Sequence, residues 1–154
     1  MFRFLSSNSE ALYGTKPWIH QNDTGNVWYT SRVSSVDLPK NRLFNPQIEG
    51  ETTIYAWVLD MPTMDLELKN VKTTDETKVT FLGTDVSFKP GSQSTLLIKF
   101  DNIPWRHLLR NDVMVLKIEN AASQMRVPHK GDHRGKSRTN ARKFVDFRWA
   151  YDAL

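Results

Sequence analysis

The sequence predicts an all-β chain, an antiparallel β-sandwich followed by a basic, poorly ordered C-terminal tail. Three observations lead there. Between Asn26 and about Glu119, short runs rich in β-branched and aromatic residues are separated by turn residues, the rhythm of a sandwich rather than of a helical or α/β chain. Within those runs apolar and polar residues alternate with the period of two that a pleated strand imposes. Beyond Ala121 the alternation gives way to Arg126, Lys130, Arg134, Lys136, Arg138, Arg142 and Lys143 against the single acid Asp132, a charge of +6 over residues 126–143. The whole chain is formally +4, so the remainder is −2 and the tail alone makes the protein basic.

Taken in order, Asn26 to Arg32 gives the first strand, with Val27, Tyr29 and Ser31 on one face and Trp28, Thr30 and Arg32 on the other. Val33 to Gly50 is polar, contains Pro39 and Pro46, and is expected to be a long, solvated hairpin insertion. Thr53 to Asp60 is apolar on both faces, Tyr55, Trp57 and Leu59 against Ile54, Ala56 and Val58, as in a central strand covered on both sides. Met61-Pro62 stops it, because proline lacks the ladder donor. Leu66-Glu67-Leu68 and Thr77 to Leu82 alternate cleanly, and Gly83 turns the chain; Val86 to Lys89 is a short strand ended by Pro90-Gly91. Ser94 to Phe100 and Val113 to Glu119 each offer one well-buried face.

At 154 residues the chain holds one ordinary domain with a core plus a tail. With no cysteine, disulfides and thiolate zinc sites are excluded and the redox compartment cannot be inferred. No run approaches the ~20 apolar residues of a membrane span, so no membrane partner is expected, and Met1 to Leu5 is too short for a secretory leader before Ser6-Ser7-Asn8.

One segment is more specific than the strand pattern. Glu10-Ala11-Leu12-Tyr13-Gly14-Thr15-Lys16-Pro17-Trp18, then Gln21-Asn22-Asp23-Thr24 and Val27-Trp28-Tyr29-Thr30-Ser31, resemble the α-L-fucosidases of glycoside hydrolase family twenty-nine. That family has Asn-Gly-Glu-Ala-Ile-Tyr and then Pro-Trp where its catalytic barrel hands over to a C-terminal β-sandwich. The resemblance runs from about Asn8 to Asn120, and Asn102-Ile103-Pro104-Trp105 with His107-Leu108-Leu109 is similar to the loop before the family's last sandwich strand. Two departures stand out: Ser9 replaces the family glycine, a problem if that position needs a left-handed backbone, and residues 33–50 replace a tighter connection. The resemblance implies residues 1–25 as the end of the barrel and a linker, 26–121 as the sandwich, and 122–154 as a tail with no counterpart.

A (β/α)₈ barrel takes about 250 residues, so the resemblance implies a chain without the catalytic domain, a truncated gene product or gene model whose parent is lysosomal or secreted. Retaining glycosidases need two carboxyl groups about 5 Å apart, and the family's nucleophile and acid/base are expected upstream; no catalytic residue is assigned here. For Glu10, the one acid in the seam, the resemblance implies either a substrate-side role, helping to line or brace the active site of the intact enzyme, or, the better expectation, a structural one closing the last barrel helix. Trp18, Trp28, Tyr29, Tyr55 and Trp57 suit a core better than a sugar platform. Trp105, in a loop beside Arg106 and His107, is the candidate sugar-binding ring. His20, His107, His129 and His133 lack the spacing of a metal site, no cofactor is implied, and no acyl-transfer or phosphate motif occurs. Asn22-Asp23-Thr24 is an N-glycosylation sequon, relevant if the chain enters the secretory pathway.

The leading reading is a non-catalytic sandwich portion of an α-L-fucosidase, with the catalytic barrel as partner and fucosylated glycans reached through the parent. Exposure of the seam near Tyr13, Pro17 and Trp18 would make the isolated chain self-associate. The alternatives are a stand-alone carbohydrate-binding sandwich using Trp105 and Trp18, and a nucleic-acid or acidic-partner binder acting through the tail. Nucleic acid is the less expected partner, since a solvated tail accounts for the same charge.

Overall fold

The computed structural model describes residues 8–35, 37–81, 84–101, 103 and 113–124. Among these, nine strands form two antiparallel sheets, the sandwich that the alternation predicts. The strands are β1 (Lys16–Asp23), β2 (Val27–Val33), β3 (Thr52–Val58), β4 (Leu66–Lys72), β5 (Lys78–Phe81), β6 (Thr84–Asp85), β7 (Phe88–Pro90), β8 (Thr95–Ile98) and β9 (Met114–Glu119). The larger sheet has the order β1-β2-β3-β9-β5-β6 and the smaller β4-β8-β7. The turn at Gly83, the loop with Trp105, Arg106 and His107, and the tail with His129 and His133 lie outside the described residues.

The core follows from the period-two pattern. Val27 and Tyr29 of β2, Ile54, Ala56 and Val58 of β3, Val79 and Phe81 of β5, and Met114, Leu116 and Ile118 of β9 point to the smaller sheet. Leu66, Leu68 and Val71 of β4 and Leu96 and Ile98 of β8 meet them in the same cluster. β3 is central as expected, paired with β2 from Val27↔Val58 to Val33↔Thr52 and with β9 from Ile54↔Ile118 to Val58↔Met114. It ends at Val58 rather than Asp60: the Leu59 amide turns to donate to the Asn26 carbonyl at 3.2 Å, and the Leu59 side chain is exposed. β7 runs from Phe88 to Pro90, so the proline is the strand's last residue instead of the stop after Lys89, which its place on a sheet edge permits because no ladder donor is needed there.

Two regions differ from the sequence expectation. β1 is a strand that the pattern does not announce, since Pro17, His20 and Gln21 interrupt the apolar alternation and its pairing with β2 shifts between Pro17 and Asn22. It nonetheless buries Trp18 completely, edge-on to the Tyr29 ring at 5.1 Å, so Trp18 belongs to the core and not to an exposed seam or a sugar platform. The polar connection between β2 and β3 is not simply solvated either. Asn45 donates its amide to the Pro17 carbonyl at 2.8 Å and accepts the Ile19 amide at 3.0 Å, covering the free edge of β1. Its side-chain amide reaches the Ser31 carbonyl at 2.7 Å, and Gln47 Nε2 reaches the Ala121 carbonyl at 2.9 Å; both residues are buried. Burial of polar side chains is tolerated where each finds a backbone partner, which composition alone does not reveal.

Candidate functional site

The outer face of the larger sheet is where chemistry-bearing side chains gather. Residues paired across antiparallel strands share a face, so the registers set out two rows. One row is Asn22, Trp28, Trp57 and Val115 across β1, β2, β3 and β9. The next is Pro17, Thr30, Tyr55, Lys117 and Thr80, the last on β5.

A helical turn at residues 8–12 lies on the second row. Ala11, 2% exposed, is small enough to sit directly on Tyr55 and Val115, with Trp57 packed alongside. The turn closes when the Tyr13 amide donates to the Ser9 carbonyl at 2.9 Å, and Gly14 follows at φ 70°, the left-handed position that favours glycine at a helix end. Ser9 is inside the turn and not at a positive φ, so its Cβ meets no conformational penalty.

Polar contacts fasten this turn to the sheet. Glu10 Oε1 accepts from the Tyr55 hydroxyl at 2.7 Å and from Lys117 Nζ at 2.8 Å. Arg32 Nη2 donates to the carbonyls of Glu10 at 3.0 Å and Tyr13 at 2.7 Å, the carbonyls a helix end leaves without intrahelical partners. Thr30 Oγ1 donates to the Ala11 carbonyl at 3.3 Å while accepting from Trp57 Nε1 at 3.0 Å.

These contacts set the electrostatics. The Lys117 ammonium first, then the Tyr55 hydroxyl, hold the Glu10 carboxyl below its usual range against a smaller opposing effect of burial. The bond to Glu10 raises Lys117 in turn. Burial, then the neighbouring Glu10 carboxylate, push the Tyr55 phenol well above its ordinary value. Glu10 is therefore an ionised acceptor with both interactions directed at one oxygen.

The residues singled out by sequence fall in different places. Glu10 is in the seated turn, half-exposed. Asn22 is exposed at the end of β1, rather than in a loop ahead of the first strand. Tyr29 is core, Tyr55 is buried beneath the turn, Trp57 is partly covered and Trp28 is 47% exposed. Asp60 takes the Asn26 side-chain amide at 3.2 Å. Among the described residues no three His, Asp or Glu side chains group as metal ligands. Arg32 and Lys117 are the residues that sequence reasoning does not single out; the available signal is a charged residue in mid-strand beside an otherwise apolar run.

A two-sheet antiparallel sandwich with a helical turn clamped on its outer face defines a β-sandwich module that receives the chain entering it. The chain belongs to the family described as the alpha-L-fucosidase C-terminal domain, whose model matches residues 21–119. It is 49% identical over 133 residues to a putative alpha-L-fucosidase of Caenorhabditis elegans, covering 82% of this chain and 28% of that protein. It is 38% identical over 86 residues to an alpha-L-fucosidase of Branchiostoma floridae, 54% of this chain and 15% of that protein. Against the human tissue alpha-L-fucosidase it is 33% identical over 107 residues, 66% of this chain and 19% of that protein. The chain thus spans less than a third of each of these relatives.

Proposed function

We infer that this chain serves as the non-catalytic β-sandwich of an α-L-fucosidase, the parent enzyme removing terminal α-L-fucose from glycoconjugates with retention, in a lysosomal or secreted setting. The observation that favours an accessory role is the seating of residues 8–15 on the sheet. Arg32, Thr30, Tyr55 and Lys117 hold the entering chain at a fixed angle, so a catalytic barrel joined there would have a defined orientation instead of swinging on a flexible linker. Glu10 acts as a brace of that seam. Its carboxylate is engaged by a phenol and an ammonium, an arrangement that stabilises an ion pair rather than presenting a nucleophile to a sugar.

The test has two arms. The purified chain is assayed for release of 4-nitrophenol from 4-nitrophenyl α-L-fucoside at mildly acidic pH, and the chain is also substituted for the matching portion of the Caenorhabditis elegans relative. No turnover by the chain alone, together with fucosidase activity in the chimera if the relative itself has it, supports the reading. Turnover that follows the isolated chain through purification overturns it. Leu12 and Tyr13 remain exposed beside the seated turn, and the isolated chain is expected to self-associate through them; a monodisperse monomer by light scattering counts against a seam at that place.

A further inference from the structure

We propose that Trp18 Nε1, Ser31 Oγ and Gln47 Oε1 together hold one buried water molecule, in a hydration site that ties the connection between β2 and β3 to the larger sheet. All three residues are 0% exposed, and these three atoms have no hydrogen-bond partner among the described residues. A buried polar group in that state is costly, and in native proteins ordered water is the usual remedy.

Asn45 brings the three together. Its backbone pairs on both sides of Trp18, donating to the Pro17 carbonyl at 2.8 Å and accepting the Ile19 amide at 3.0 Å. Its side-chain amide donates to the Ser31 carbonyl at 2.7 Å. Gln47 follows two residues later, about 7 Å along an extended chain and on the same side as Asn45. Trp18 and Ser31 lie on neighbouring strands: Lys16 is opposite Ser31, and the Trp18 ring meets that of Tyr29, two residues before Ser31. Buried residues of β1, β2 and the connection therefore converge on one place.

The side chains have little freedom to find other partners. The indole is held edge-on to the His20 and Tyr29 rings, with centroids 4.9 and 5.1 Å away. Gln47 commits Nε2 to the Ala121 carbonyl at 2.9 Å. Turning that amide over would set its oxygen against the carbonyl, so Oε1 is the prong left to accept. What remains matches the hydrogen-bonding of water. Trp18 Nε1 only donates, Gln47 Oε1 only accepts, and the Ser31 hydroxyl does either. The water oxygen accepts from the indole, one O–H donates to Gln47, and a third bond is shared with Ser31, the count typical of an internal water. An ion fits worse, because a cation would face the indole N–H and an anion the amide oxygen.

The test is a crystal structure of the full chain at a resolution that shows ordered water, with nuclear magnetic resonance of the nitrogen-15-labelled chain as the solution measurement. The expected density is one peak within hydrogen-bond distance of all three atoms. In solution the Trp18 indole proton should give a cross-peak to the water resonance, of opposite sign in laboratory-frame and rotating-frame Overhauser spectra. That sign change marks a long-lived neighbour and not proton exchange. Ser31→Ala removes the hydroxyl that could relay exchange and leaves Trp18 and Gln47 to hold the water, so the cross-peak should remain. An empty site in the crystal, direct bonding of the three groups to one another or to protein carbonyls, an indole proton without the cross-peak, or its loss in Ser31→Ala overturns the proposal.

Discussion

The two sheets bury the same kind of side chain on their inner faces and differ on their outer ones. On the smaller sheet the outward row is Glu67, Leu97 and Lys89, and Lys99 pairs with Asp65 across the surface. On the larger sheet the outward rows hold Trp28, Trp57, Tyr55, Thr30 and Lys117, and a segment of the chain's own N-terminal region already lies on them. One outer face is built to meet water and the other to receive chain. A sandwich is therefore not symmetric in use even where its core is shared, and the difference lies in which strand positions carry aromatic and paired charged residues.

The strongest way to break this comparison is to attack what the sheets share. Ile118→Ala removes a fully buried side chain from the centre of the cluster that joins both sheets. Truncations of this kind cost about 2–5 kcal/mol. Urea denaturation followed by tryptophan fluorescence and far-ultraviolet dichroism should move to lower midpoint in both signals together. Separate transitions would show that the two sheets are independent units and that the comparison is between two modules.

A smaller loss is expected at the junction between them. β4 bulges between Leu68 and Lys72, which turns Asn70 toward the β1–β2 hairpin, where Asp23 takes its amide along with the Tyr29 hydroxyl. Burial, then the Asp23 charge, push the Tyr29 phenol well above its ordinary value. Asp23→Ala leaves a buried hydroxyl and an amide without their acceptor, a cost of about 1–3 kcal/mol. Asp23→Asn, which keeps an oxygen, should recover part of it in the same denaturation assay.

How far the sequence reaches can be judged from these same residues. β2, β3 and β9 are legible to within two residues because each alternates against a core on at least one face. β1 is not, because an edge strand with a bulge needs no regular alternation; Trp18 reads as core by residue type and as exposed seam by its polar neighbours, and its complete burial upholds the first reading. Asn45 and Gln47 read as loop residues because only backbone partners distant in sequence explain their burial. At the seam, Glu10 is legible as the one acid in a matched segment, while its partners Tyr55 and Lys117 require the register of β3 with β9.

The seam itself should respond to pH and salt rather than to denaturant. Glu10 has a folded value below its ordinary one, so its contribution is fully present above the unfolded glutamate value and is lost as the pH falls through the lowered folded value. Lys117 has the opposite sign: its contribution is complete below the ordinary lysine value and is lost as the pH rises through its raised folded value. Between these limits, which include mildly acidic conditions, the clamp holds. Glu10→Gln should cost no more than about 1 kcal/mol, since the pair is partly exposed. It should also remove the acid-side dependence and weaken protection of the amides at residues 8–15 in hydrogen exchange. Unchanged protection there would mean that Arg32, Thr30 and the packing of Ala11 hold the turn without the ion pair.

The least effect is expected on the face that meets water, and that makes it the control. Lys89→Glu sits on an exposed edge-strand position of the smaller sheet, where substitutions usually stay within about 0.5 kcal/mol. By contrast, Tyr13→Lys beside the seam should be equally mild for stability yet reduce self-association, because it places charge in the exposed apolar area next to Leu12. Light scattering on the two variants separates the outer faces by function instead of by stability. If Lys89→Glu changed the association state as much as Tyr13→Lys, both faces would be contact surfaces and the asymmetry between the sheets would fail.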